Sequence, residues 1–124
     1  RLSLVGSEMC IRDRVTTMNC NHMMNTTFVV HNSITPDFLR WVGEAYLPAA
    51  EKSGLFGAPT VMQVHQTVDP QADSIAVQLP AASLDDATRW HDETAALLKD
   101  DLRARWGEGV LFFTTYMTVI PLDR

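Results

Sequence analysis

The sequence predicts an α+β fold: a four-stranded antiparallel sheet with two helices on one face. Three observations lead there. Four runs rich in β-branched and aromatic residues recur along the chain. Two segments with apolar side chains at helical spacing alternate with them, strand–helix–strand twice over. A turn-forming stretch, Asp69-Pro70-Gln71-Ala72-Asp73, joins the halves.

The first strand is expected over Thr26–Asn32, TTFVVHN. Thr35-Pro36 then opens a helix, with Thr35 as cap and Pro36 at the first helical position, where a missing N–H is harmless. Phe38, Trp41, Val42, Ala45 and Ala49 form its apolar face. Pro48 must kink or end this helix, because its ring meets the carbonyl of Glu44. Gly54 suits a left-handed cap. The second strand is expected within Ala58–Val68 and the third over Ser74–Ala82, where Pro80 indicates an edge position, a bulge or the strand's end.

Ser83 caps the second helix, with Asp85 and Asp86 favourable to its dipole. Leu84, Ala87, Trp90, Thr94, Leu97, Leu98, Leu102 and Trp106 make its expected buried stripe, and Asp85–Arg89 and Asp101–Arg105 its exposed ion pairs. Gly107 ends it. Val110–Ile120, VLFFTTYMTVI, is the last strand, stopped by Pro121.

This order is the ferredoxin-like βαββαβ arrangement, with both crossovers placing their helices on one sheet face. On the last strand Val110, Phe112, Thr114, Tyr116, Thr118 and Ile120 share one face, while Leu111, Phe113, Thr115, Met117 and Val119 share the other. Both are substantially apolar, and two helices cover only one. A homodimer through the open sheet face is therefore expected.

Composition narrows the function. The chain has 124 residues, a net charge of −5 and 46% apolar content, which suits a single globular domain. The acidic balance argues against nucleic acid. No uncharged apolar run approaches the ~20 residues of a membrane helix, so no membrane partner is expected. Residues 1–14 lack the apolar core of a targeting signal and are broken by Glu8, Arg12 and Asp13, which points to a cytoplasmic protein. Cys10 and Cys20 lie outside the expected body, so no disulfide framework is foreseen there. With only His22 beside them they make a poor zinc pattern, and no metal site is expected.

Residues 3–14, SLVGSEMCIRDR, resemble the translated end of a transposase sequencing adapter. Residues 1–24 are thus expected to be a non-native or disordered segment and 25–124 the folded domain, with translation starting near Met18, Met23 or Met24. Residues 1–17 carry three arginines against two acids, so the other 107 residues hold a net charge of −6.

Three segments carry a family resemblance: Phe38-Leu39-Arg40-Trp41 through Tyr46-Leu47-Pro48 to Ser53-Gly54-Leu55-Phe56; Val77-Gln78-Leu79 leading to Ser83-Leu84-Asp85-Asp86; and Arg105-Trp106-Gly107 followed by Phe112-Phe113-Thr114-Thr115. From Phe28 to Ile120 the chain resembles the DUF4286 family of small bacterial proteins. That resemblance implies a dimeric α+β barrel. The chain departs from the family's pattern at two places: Tyr46 stands where the family tends to have a His before Ile-Pro, and Thr114 where it tends to have an Arg on the last strand. An activity built on that His or Arg is not implied here.

His31, His65 and His91 can do acid–base work near neutral pH. A pocket under the helices that gathers one or two of them with Tyr116, Gln63 and Gln78 would be a candidate site. Trp41, Trp90 and Trp106 read first as core anchors, each able to bury ~150–250 Å², though Trp41 and Trp90 could also border such a pocket. Relatives of the implied barrel include cofactor-free monooxygenases and haem-degrading enzymes. Asn32 and His91 match two residue types of the haem-degrading group, but the third strand lacks its Trp, so haem is not expected. No phosphate loop, nucleophile elbow or metal motif stands out, and no cofactor is expected. Two readings remain: a non-catalytic dimer binding a small apolar molecule or a protein, and a cofactor-independent monooxygenase or isomerase acting on an aromatic or polycyclic substrate.

Overall fold

The structure, a computed structural model, describes residues 20–65 and 69–122. Four strands form one antiparallel sheet: β1 (His22–His31), β2 (Thr60–Val64), β3 (Ala72–Ala81) and β4 (Val110–Thr118), in spatial order β2-β3-β1-β4. The predicted ferredoxin-like arrangement is present. β1 lies in the middle and begins four residues before the β-branched run that announced it, so Met23 and Met24 are strand residues and Met24 is core. The expected boundary at residue 25 therefore cuts through β1. The adapter-like stretch lies outside the described residues. Cys20 belongs to the folded body instead of preceding it: it is buried against the start of β1 and disulfide-bonded.

Each crossover helix is broken by a π-helical segment. The first runs as α1 (Thr35–Trp41), π1 (Val42–Tyr46) and α2 (Leu47–Ser53); the second as α3 (Leu84–Trp90), π2 (His91–Ala95) and α4 (Ala96–Trp106). Pro48 explains π1. It has no N–H to give to the Glu44 carbonyl, and the wider turn before it makes room for its ring, so the helix continues instead of ending.

The consequence is a register shift. A π segment adds one residue to a turn, which rotates everything after it by about 100° relative to an unbroken α-helix. Tyr46 and Ala50 are core, in place of the expected Ala45 and Ala49. In the second helix Ala95, Lys99 and Leu102 are buried, and Leu97, expected inside, is 70% exposed.

Other details differ from the sequence reading. The first helix starts at Thr35 with Ile34 as its uncapped N-cap, and the Thr35 hydroxyl donates to Asp73 Oδ2 at 2.6 Å. Arg89 pairs with Asp86, one residue nearer than Asp85, at 3.3 Å. Asp101–Arg105 forms as expected at 3.0 Å. β3 is interior, yet holds Pro80. The β2 ladder ends at Thr60 opposite Gln78, and the Pro80 carbonyl accepts from Gly57 N–H, so its imide nitrogen faces a gap where no strand needs a donor. Ser83 caps α3 as read, accepting from Asp86 N–H at 3.1 Å. Gly54 (φ 72°) and Gly107 (φ 55°) end their helices in conformations that favour glycine.

The layer between helices and sheet is packed with rings. Phe28 contacts Phe38, Tyr46 and Phe112; Tyr46 contacts Trp41 and Trp90; Trp90 contacts Phe56. The opposite sheet face carries Met62 and Val64 of β2, Met23 and Val29 of β1, and Leu111, Phe113 and Met117 of β4. Leu111 is 59% and Phe113 58% exposed.

Candidate functional site

Of the seven predicted site residues the structure brings His91 and Tyr116 together. His31 ends β1 in solvent, where its Nδ1 meets the Ser33 hydroxyl at 2.8 Å. His65 is exposed just past β2. Gln78 is on the open sheet face, away from the helices, because it pairs with Asn25. Trp41 and Trp90 are core. Trp41 Nε1–H donates to Asp101 Oδ2 at 2.9 Å, and that bond together with Arg105 holds the Asp101 carboxyl below the usual range. Asn32, the other haem-type residue, donates to the Pro70 carbonyl in an exposed turn. The pocket that was to collect the histidines under the helices is instead filled by the aromatic layer.

What forms is a polar cluster between the second helix and the β1–β4 pair. π2 begins at His91, and α4 then turns Lys99 inward. Lys99 Nζ lies 2.6 Å from His91 Nε2 and 3.4 Å from Thr114 Oγ1. Thr114 Oγ1 also lies 3.1 Å from His91 Nε2 and 2.9 Å from Thr26 Oγ1. Because His91 Nδ1 is 3.4 Å from Asp92 Oδ1, the consistent tautomer carries its proton on Nδ1 and accepts from Lys99 at Nε2. The His91 and Tyr116 rings meet edge to face at 6.2 Å.

Electrostatics follow from burial. Lys99 is 5% exposed, and no carboxylate lies within ion-pair distance of it among the described residues. Its Nζ rests 4.6 Å from the Phe112 ring centre, and the Arg103 guanidinium sits on the same ring at 5.2 Å. Burial, reinforced by Arg103, pulls Lys99 down to about 8. His91 is lowered by burial and by the Lys99 charge. Burial pushes Tyr46 up to about 12, and its hydroxyl makes no hydrogen bond of good geometry although Thr26 is beside it. Tyr116 is raised, also by burial. Phe112 separates Lys99 from a surface cleft of about 310 Å³ lined by Arg103, Gly107, Glu108, Val110, Leu111 and Phe112.

Sequence reasoning missed Lys99, Thr26 and Tyr46. For Lys99 and Tyr46 the signal was the helical phase: five residues separate Trp41 from Tyr46 and Trp90 from Ala95, a spacing that becomes inward only when a π turn is counted; for Thr26 it was the strand alternation that sets it on one face with Met24 and Phe28. Tyr46 and Thr114 both adjoin Thr26 in this cluster.

Fold and site together define a small ferredoxin-like α+β domain with an amine–imidazole cluster buried beneath its second helix. Residues 22–120 match the family described as Domain of unknown function (DUF4286), and the chain belongs to that family. No curated protein matches the chain. No helix among the described residues is long and apolar enough to cross a membrane.

Proposed function

We propose that this chain is a non-catalytic binding protein that works as a homodimer, two copies joining through their open sheet faces into an α+β barrel. The observation that carries the reading is the contrast between the two faces. One is sealed by the aromatic layer under the helices; the other leaves Met62, Val64, Leu111, Phe113 and Met117 partly or largely in solvent. A contiguous apolar face of this kind marks an association surface, and a second copy offers a matching one with two-fold symmetry. Among the described residues the layer between helices and sheet is packed with the rings of Phe28, Phe38, Tyr46 and Trp90, which favours binding over turnover. Sedimentation of the full chain tests this reading: a species of twice the chain's mass supports it, and a monomer at tens of micromolar opposes it.

A second reading draws on one observation, the contact of His91 with Lys99 beside Thr114. Under it the chain is a cofactor-independent monooxygenase or isomerase, with His91 carrying a proton to or from an aromatic substrate. Dioxygen uptake with hydroquinone as probe, absent from His91→Ala, supports that reading; no uptake above the buffer rate rejects it for this class of substrate.

A further inference from the structure

We propose that Lys99 is a carbonyl-capturing amine, condensing with a small aldehyde or ketone that enters from the cleft beside Phe112. This specifies a ligand for the binding reading above, yet it is tested apart from it, since sedimentation reports the dimer whatever Lys99 does.

Four observations converge. Lys99 Nζ is buried, and among the described residues no carboxylate lies within ion-pair distance to hold it as a permanent cation. A proton acceptor, His91 Nε2, lies 2.6 Å away. A hydroxyl, Thr114 Oγ1, lies 3.4 Å away. A cleft of about 310 Å³ opens on the Phe112 ring that Lys99 touches. An amine desolvated on an apolar surface next to a second cation is the setting in which lysine becomes a nucleophile near neutral pH. The groups facing it from each packed element are consistent with this. His91 and Asp92 come from π2, Arg103 from α4, Thr114 and Tyr116 from β4, Thr26 from β1 and Tyr46 from π1. The nearest carboxylate in this set, Asp92, contacts His91 and not Lys99. A simple carboxylate-binding role would leave the amine protonated, and Arg103 works against that.

The Lys99 ammonium passes a proton to His91 Nε2. The freed lone pair forms the C–N bond, and the carbonyl π pair moves to oxygen, which takes the proton back from His91. A second N–H proton then passes through His91 to the carbinolamine hydroxyl. The C–O bond breaks, water leaves, and the nitrogen lone pair closes the C=N bond. Two ammonium hydrogens and the carbonyl oxygen depart as water, and the third hydrogen stays on the iminium nitrogen.

The chain contains two lysines, Lys52 and Lys99, and Lys52 is exposed on α2, an internal standard. The full chain is incubated with propanal and cyanoborohydride at pH 7, and propylation at each lysine is read by peptide mass spectrometry. Lys99 is expected to label at least about tenfold faster than Lys52, because its lowered pKa leaves far more free amine. Its rate should level off above about pH 8. In Phe112→Ala, which widens the path from the cleft, Lys99 should label faster still. Equal or preferential labelling of Lys52 in both the natural chain and Phe112→Ala overturns the proposal.

Discussion

Lys99 Nζ and His91 Nε2 lie 2.6 Å apart under the second helix, a basic pair in contact with no acid between them. Such a pair avoids carrying two positive charges, and both groups are shifted toward their neutral forms. Stability therefore depends on pH in a definite direction. The folded Lys99 releases its proton near 8, well below the ordinary value of ~10.4 that applies in the unfolded chain. Between those values the unfolded state binds more protons, so stability rises with pH. The melting temperature of the natural chain should gain on that of Lys99→Met by on the order of a few degrees between pH 8 and 10. A constant difference across that range would place Lys99 in water.

His91 gives a spectroscopic check. Its ring should stay neutral below the ordinary imidazole value of ~6.5, with the proton on Nδ1 toward Asp92. Long-range ¹⁵N–¹H correlation spectra between pH 5 and 8 read both features. In Lys99→Met the titration should move up, since one of the two causes of the shift is gone. An unchanged titration in that variant would mean the two side chains are not coupled.

Tyr46 carries a hydroxyl into the core without a satisfied hydrogen bond. Removing a polar atom that has been stripped of water and given nothing in return should stabilise the fold. Tyr46→Phe is expected to gain about 1 kcal/mol in chemical denaturation. A loss of similar size would reveal a partner for that oxygen.

The cap at Ser83 is a simpler case. Its hydroxyl takes the Asp86 N–H at 3.1 Å, one of the amides a helix start leaves free. Ser83→Ala should cost about 1 kcal/mol and Ser83→Asp almost nothing. Equal losses in the two variants would show that the cap is not what the residue supplies.

The topology was legible because it rests on periodicity and on punctuation. Alternation marked β4, the Ser83 cap and the turn glycines marked helix ends, and the strand–helix–strand order left one sensible arrangement. The site was not legible because it depends on two π segments. Pro48 signalled the first, but as an interruption, when the helix instead absorbs it and turns Tyr46 inward. Nothing comparable announces π2, so a strict helical phase puts Leu97 in the core and leaves Lys99 out of the buried stripe. A lysine in an otherwise apolar stripe reads as a solvated charge until that extra residue is counted. His31 and His65 drew attention as residue types, but their places at strand ends set them in solvent, and strand ends were the least certain part of the pattern. Of the three places that Pro80 indicates, the strand's end is the one found: it is the penultimate residue of β3, beyond the point where the β2 ladder stops.

The proposed dimer joins two copies through the open sheet face and not through the helix layer. Sedimentation velocity on Phe113→Glu beside Leu97→Glu tests it most directly. Both replace a side chain that is largely exposed in one copy, Phe113 at 58% on the sheet and Leu97 at 70% on the helices, so neither should unfold the chain. A buried, unpaired carboxylate at a two-fold interface costs several kcal/mol. Phe113→Glu is expected to be a monomer and Leu97→Glu an unaltered dimer. A dimer that survives Phe113→Glu, or dissociates in Leu97→Glu, would contradict it.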